Sequence, residues 1–585
     1  MNLREKPFYL TDEQVSQVEE TLSSLTVQQK VGQLFCVMGQ DFGADELKTL
    51  VKDYNIGGIL YRPAPAKEIR AWYEPLDEAA RIPLLKAANL EEGGTGGISD
   101  GTFFGWPMTV AATDDLGVME KFAKVCALEG QSVGLNWTFS PVCDLDLNYR
   151  NPITNVRTCG SDLERVKRFC SQYVRTLQGQ GMAACAKHYP GDGVDFRDQH
   201  LHPTYNSLSA KDWYESYGAI YRQLIEDGLM SVMVGHIVQP NVEMDINPEL
   251  RFEDCLPSSL SKELLTGVLR EKFGFNGVIT TDATIMSGFT QAMPRREAIP
   301  AAIMAGCDML VFTTGFYEDY QYMLDALENG FLTEERLDEA VTRTLALKAK
   351  VAMPSPVHSD AEGGRSSEDA VCRKDDMAGR TRTGGQLPEA KQWQAECADK
   401  CVTLVKNNQD VLPLTPEKFP LIRLVTLGKD EITEGCEAAP GDARYPIESS
   451  MTAIAEELLQ EAGFQTERFD IEREELHGTK DLPKNRLTLY LANCEHASNQ
   501  TAVRLFWAKK HALDVPRHVE EEPYIFVSYS NPYHLQDVPR VKTYINAYSC
   551  HRPMIEAVID KLLGKSAFKG VSPVDAFCGL PDARL

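Results

Sequence analysis

The sequence predicts an α/β protein, a (β/α)8 TIM-like barrel followed by a smaller α/β sandwich domain, on three observations. From residue 31 onward, eight short apolar runs of β-branched character alternate with longer segments of helical period. Eight such units over about 300 residues match this barrel in count and size. A stretch without Leu, Ile, Phe, Tyr or Trp then lies between Pro354 and Gln386, and β-α alternation resumes after it. The expected division is a catalytic barrel over 1–353, a linker over 354–388, and a second domain over 389–585.

Taken in order, the eight runs are Val31–Met38, Ile56–Tyr61, Pro83–Leu90, Trp137–Leu145, Met182–Lys187, Met230–Ile237, Gly277–Asp282 and Asp308–Thr313. In a barrel of this kind the active site gathers at the carboxyl ends of the strands. Those ends are polar here. The third run leads into Asn89, Glu91 and Glu92, the fourth into Asp144 and Asp146, the fifth into Lys187-His188, the sixth into His236 and the seventh into Asp282. In the second domain, Glu389–Lys406 reads as an amphipathic helix. Strands are expected at Leu421–Leu427, Thr488–Asn493, Tyr524–Tyr529 and Tyr544–Tyr548, with helices at Met451–Ala462 and Pro553–Leu563.

Composition narrows the function. With 60 basic against 85 acidic residues, net −25, neither nucleic acid nor an anionic membrane is an expected partner. Residues 1–14 lack the apolar core of a signal peptide, and no run of about 18 apolar residues is present to span a bilayer. The fifteen cysteines are scattered without a CxxC pair, as in a protein of a reducing compartment, so a cytoplasmic location is expected. Cys397 and Cys401 have no companion ligands nearby, and no metal is expected. Gly191-x-Gly193 and Gly93–Gly97 lack the endings and spacings of phosphate loops, so no nucleotide or other organic cofactor is expected either.

The chemistry-bearing residues concentrate in Gly181–His202. A small apolar run stops at Lys187-His188, Pro190-Gly191-Asp192-Gly193 turns, and Asp198-Gln199-His200 follows in a loop. Asp198 can orient the His200 imidazole as an acid/base. Asp282, ending an apolar strand, can present a carboxylate at the barrel mouth; it can equally cap the next helix. Lys187, His188, Asn89, Glu91 and Arg157 are candidates for binding hydroxyl groups. A lysine in such a place needs a partner, because its ammonium is costly to bury alone. His236 is a further candidate, with a structural histidine as the competing account.

These residues carry a resemblance. Leu25-Thr26 with Lys30-Val31-Gly32-Gln33-Leu34, Ile56-Gly57-Gly58, Glu92-Gly93-Gly94, Ser140-Pro141-Val142, Lys187-His188-Tyr189-Pro190-Gly191, Asp198-x-His200 and Thr281-Asp282 resemble glycoside hydrolase family 3, in its β-N-acetylglucosaminidase branch. Val405-Lys406-Asn407 and Leu412-Pro413-Leu414 are similar to the start of that family's second domain. The resemblance implies a retaining, two-step mechanism on a carbohydrate substrate such as a peptidoglycan or chitin fragment. Asp282 would be the nucleophile and His200, on a mobile loop and supported by Asp198, the acid/base, with Lys187, His188 and Arg157 on the sugar. It also implies that phosphate could replace water as acceptor, since a neutral imidazole does not repel an anion as a glutamate would. Two positions depart from the branch: Leu90 stands where an aspartate on a sugar hydroxyl is usual, and Asp192 where the turn usually has histidine.

A β-glucosidase or a phosphorylase of the same family is the near alternative. From another class, His200-Leu201-His202 with His188 and Asp282 could build a metal-dependent barrel hydrolase, and a sugar-binding protein without catalysis is the third reading.

Overall fold

The computed structural model describes residues 1–352, 386–432, 449–476, 482–483, 485–496 and 498–585. Of the expected linker, 354–385 therefore lies outside the described residues.

Eight parallel strands close a barrel. They are Phe35–Met38, Gly58–Leu60, Leu85–Ala88, Trp137–Thr138, Ala183–Tyr189, Ser231–Val234, Val278–Ala283 and Met309–Val311, one in each predicted run. Neighbours around the ring are neighbours in sequence, and the eighth strand pairs with the first, as short β-α crossovers of one hand require. The chain departs from the predicted runs for local reasons. Val31–Gln33 joins the helix Val27–Gln33, because Thr26 and Gln29 form a reciprocal capping box that starts a helix there. The fourth strand ends at Thr138, ahead of Pro141, which has no N–H to give the ladder. The barrel is filled as well as closed. Trp137 is fully buried inside it, and its Nε1–H donates to Ser231 Oγ at 2.8 Å, which donates in turn to Ala184 O.

The chain forms two compact units, Met1–Thr102 with Ala123–Asp144 and Cys170–Pro388, and Phe103–Phe122 with Leu145–Phe169 and Glu389–Leu585. The 1–353 segment thus contains two excursions, after the third and fourth strands, that belong to the second unit. That unit has a six-stranded sheet in the order Thr403–Asn407, Thr543–Asn546, Tyr524–Ser528, Arg486–Asn493, Leu421–Gly428, Gln465–Arg468. All its pairs are parallel except the first. Ile422, Leu489 and Ile525 share one core with the helices Ala390–Cys401, Met451–Glu461 and Arg552–Leu562. Tyr490, Phe526 and Tyr544 stack in a row within the other, at 5.6 and 5.5 Å between centroids. Both faces are therefore buried, as in a layered sandwich. The predicted helix Glu389–Lys406 is corrected here. It stops at Cys401, and Val402-Thr403-Leu404-Val405, a β-branched and apolar run, supplies an edge strand antiparallel to Thr543–Asn546.

The foot of the barrel is tied by one carboxylate. Asp308, fully buried before the eighth strand, accepts from the seventh-strand Ile279 N–H at 2.9 Å and from Arg270 and Arg336 at 2.5 and 2.9 Å. Burial alone would raise its pKa, but the guanidiniums of Arg270, Arg343 and Arg336 hold it below the ordinary carboxylate value. Stability from a depressed carboxylate is present above its unfolded pKa and is lost as pH falls through the folded one. Asp308→Asn leaves the buried Arg270 without its carboxylate, while Arg336 and Arg343 keep Glu339, and should cost about 3–5 kcal/mol. In denaturant titrations the variant should also lose part of the wild type's fall in stability on acidification; an unchanged midpoint would refute this account.

Candidate active site

The mouth is built from strand ends. In the seventh strand, Val278, Ile279, Thr280 and Thr281 are buried and the pattern opens only at Asp282 and Ala283, so the first polar side chain to leave the core is a carboxylate. Asp282 Oδ1 accepts from the following Ala283 N–H at 2.7 Å, and Oδ2 lies 3.9 Å from His188 Nε2. Burial would push this carboxyl up. The neighbouring imidazoles, His188 foremost, and the Ala283 N–H outweigh it and hold the pKa below the ordinary value.

The fifth strand is buried throughout, yet ends in Lys187 and His188. Each is matched. Lys187 Nζ pairs with Glu91 Oε1 at 2.6 Å and donates to Asn89 Oδ1 at 3.3 Å. His188 Nδ1–H donates to Asp144 Oδ2 at 2.8 Å, so Nε2 is the ring nitrogen turned to Asp282. Asp144 also accepts the backbone N–H groups of His188 and Asp192, at 3.1 and 2.8 Å, which is how it clamps the turn beyond the strand. Asp146, paired with Asp144 in the sequence pattern, belongs to the second unit and accepts there from Thr154 and Tyr533.

His200 sits on the loop that follows. Its Nδ1–H donates to Asp198 Oδ1 at 2.6 Å, and the same oxygen accepts the His200 backbone N–H at 2.8 Å. The Asp198 side chain is fully buried while that of His200 is 24% exposed, so Nδ1 is held on the packed side and Nε2 is left as the free ring edge of the pair. Ser287 N–H, five residues beyond Asp282, donates to His200 O at 3.0 Å. The loop is thereby tied to the chain that leaves the seventh strand, and the imidazole is near enough for its field to act on Asp282.

Of the remaining candidates, His236 is fully buried with both ring nitrogens engaged. Nε2–H donates to Ala283 O at 3.0 Å, and Nδ1 faces Ser259 Oγ at 2.9 Å. Burial pushes its pKa down to about 4, so the ring is neutral and acts on the site through the Asp282-Ala283 backbone. Arg157 lies in the turn Asn155–Arg157 of the second unit, where Nη1 donates to Ile153 O at 3.2 Å. Asn89 is exposed at the end of the third strand, whereas Leu90 is fully buried at φ +46° and packs beside Gly97 and Gly130. The backbone turns Leu90 inward, and its polar neighbours Asn89 and Glu91 meet Lys187. Two buried residues beside these groups carry no strong signal of their own in the sequence. Asp144 was visible only as a polar strand end, and Gln199 lay unweighed between Asp198 and His200. Among the described residues, no group of three or more His, Cys, Asp or Glu is arranged to hold a metal ion. Nor, among them, is any helix long and apolar enough to cross a membrane.

A strand-end carboxylate and an imidazole braced by a buried carboxylate, at one mouth of a parallel barrel, define the class of a glycoside-cleaving enzyme. The comparisons give the family. Residues 26–347 match the model described as Glycosyl hydrolase family 3 N terminal domain, and the chain belongs to that family. It is 39% identical, over the whole of both chains, to a Beta-N-acetylglucosaminidase/beta-glucosidase of Cellulomonas fimi. It is 29% identical to a Beta-hexosaminidase of Pseudomonas aeruginosa, over 48% of this chain and 81% of that one. Among solved structures, Beta-glucoside phosphorylase BglX superposes with TM-score 0.87 at 42% identity, covering 100% of this chain and 99% of that one. A family 3 β-N-acetylglucosaminidase of Paenibacillus sp. has the same fold, TM-score 0.74 at 24% identity over 95% of this chain and all of its own.

If the imidazoles keep Asp282 ionised, His188→Gln should raise its pKa and move the acid limb of kcat/KM to higher pH. A profile whose acid limb stays in place would count against this electrostatic account.

Proposed function

We propose that this family 3 enzyme is a retaining, exo-acting β-glycosidase that removes terminal β-linked N-acetylglucosamine or glucose. The observation that carries the reading is the convergence of an ionised Asp282 with the Asp198-braced His200 at one barrel mouth. In the first step Asp282 Oδ2 attacks the anomeric carbon while His200 Nε2–H protonates the departing glycosidic oxygen. Asp198 stabilises the imidazolium before transfer and keeps Nδ1 protonated after it. His200 Nε2, now neutral, then takes the proton of the incoming acceptor, which attacks the glycosyl ester and releases Asp282 with net retention. Lys187, His188, Asn89 and Glu91 offer donors and acceptors that suit the hydroxyls of a bound sugar.

Both sugars are included because the Cellulomonas fimi relative carries both activities in its description. A second acceptor is favoured by one specific observation: the 42% identical structure is a β-glucoside phosphorylase over the full length. An imidazole base carries no negative charge when it receives the acceptor, so phosphate meets less repulsion there than beside a glutamate. The described cysteines, all free thiols, support a reducing compartment such as the cytoplasm.

Asp282→Ala should reduce turnover of an activated aryl glycoside to background; near-normal rates would remove the nucleophile assignment. His200→Ala should lose about 10²–10⁴-fold in kcat/KM on aglycones that need a proton and far less on nitrophenyl-type ones. Running aryl glucosides and N-acetylglucosaminides with and without phosphate, and reading the first product by NMR, should give the β-anomer or the β-sugar 1-phosphate. A first-formed α-product would contradict retention, and turnover in strong chelator keeps the metal-dependent reading out.

A further inference from the structure

We propose that Gln199, lying between the two members of the acid/base dyad, is a positioning residue that locks His200 against the strand carrying the nucleophile, with Asp192 as its partner. The inference rests on the assignment of His200 as acid/base and goes beyond it, because Gln199 itself touches no reacting atom. Its side chain is 1% exposed and uses both ends. Nε2–H donates to Asp192 Oδ2 at 3.1 Å, and Oε1 accepts the His236 backbone N–H at 2.7 Å. Each end leads to the site. Asp192 Oδ1 accepts Gly193 N–H at 2.7 Å, and its own N–H donates to Asp144 Oδ1 at 2.8 Å, the carboxylate that orients His188. On the other side, the His236 ring donates to Ala283 O, one peptide past Asp282.

The backbone around Gln199 is held as closely. A Cβ on Gly288 would come within 2.4 Å of Gln199 O and 2.8 Å of the His236 Cβ, so only glycine lets the chain after the seventh strand approach this loop. Gln291 Nε2 donates to Leu201 O at 3.1 Å. Downstream, Thr204–Tyr205 pairs in parallel with Ile237–Val238, just beyond His236. A loop of this kind pivots most easily where its side chains are solvated. Here the residue next to the acid is buried and bonded in both directions, so rotating His200 out of place requires two buried hydrogen bonds to break together. Asp192, the departure noted in the turn, and Gln199 form one device: a carboxylate oxygen that matches an amide N–H.

The test compares kcat/KM for a nitrophenyl glycoside with that for an alkyl or disaccharide substrate, in wild type, Gln199→Ala, Gln199→Glu, Asp192→Asn/Gln199→Glu and His200→Ala. Gln199→Ala should lose about 10²-fold on the poor leaving group and little on the activated one, because only the former needs the proton. Gln199→Glu should behave alike, since two carboxylates would face each other. The double variant restores the bond with its polarity reversed, the new amide at position 192 donating to the new carboxylate at position 199. It should recover most of the loss on the poor leaving group whether or not Gln199→Ala folds. Equal losses on both substrates, no loss, or a double variant no better than Gln199→Glu would each overturn the proposal. Should His200→Ala itself lose both substrates equally, it is the acid/base reading that falls.

Discussion

The site depends on keeping one carboxylate charged where burial favours its neutral form. Asp282 emerges from a strand whose preceding four residues are all buried, and a protonated acid there would be a poor nucleophile. The compensation comes from three different places: the fifth strand through the field of His188, the following loop through that of His200, and the sixth through the neutral His236 ring, which holds the Ala283 carbonyl. No local segment contains these rings together. A closed parallel barrel brings them to one rim because all its strands run the same way, so their carboxyl ends share one end of the barrel.

The imidazoles do different jobs although two of them share one motif. His188 and His200 each direct Nδ1–H to a buried aspartate, Asp144 and Asp198, which leaves Nε2 facing the mouth. His188 is packed at the strand end, its side chain 7% exposed, and is a fixed neighbour of Asp282. His200, at 24%, is the more open of the two, as the proposed acid/base role requires. His236 has lost the option of charge altogether and acts as a strut for the Ala283 carbonyl. Position and solvation, more than residue type, separate the three rings.

The barrel's legibility came from its repetition. Eight apolar runs, each containing one strand, could be found because a strand buried on both faces is a continuous hydrophobic stretch bounded by polar ends. Boundaries were less legible where a local interaction overrode the run, as at Thr26 with its capping box and at Pro141 with its missing N–H. In the second unit the edge strand Thr403–Asn407 was read as the end of a helix, since one turn of helix and a half-buried edge place apolar residues similarly. The excursions 103–122 and 145–169 look like any barrel loop in sequence, and only their packing assigns them to the second unit.

For the site, the chain by itself determined the chemistry on offer: a strand-end aspartate, an Asp-x-His loop, and a Lys-His pair too polar to be plain core. Those are matters of residue type and local spacing. Tertiary structure decided which of these groups meet, that Leu90 turns inward while Asn89 and Glu91 engage Lys187, and that Gln199 joins Asp192 to His236 across 7 and 37 residues. Hydrogen bonds and charge fields act over a few ångströms of space whatever the separation along the chain, so residues far apart in sequence acquire their roles only when the barrel closes.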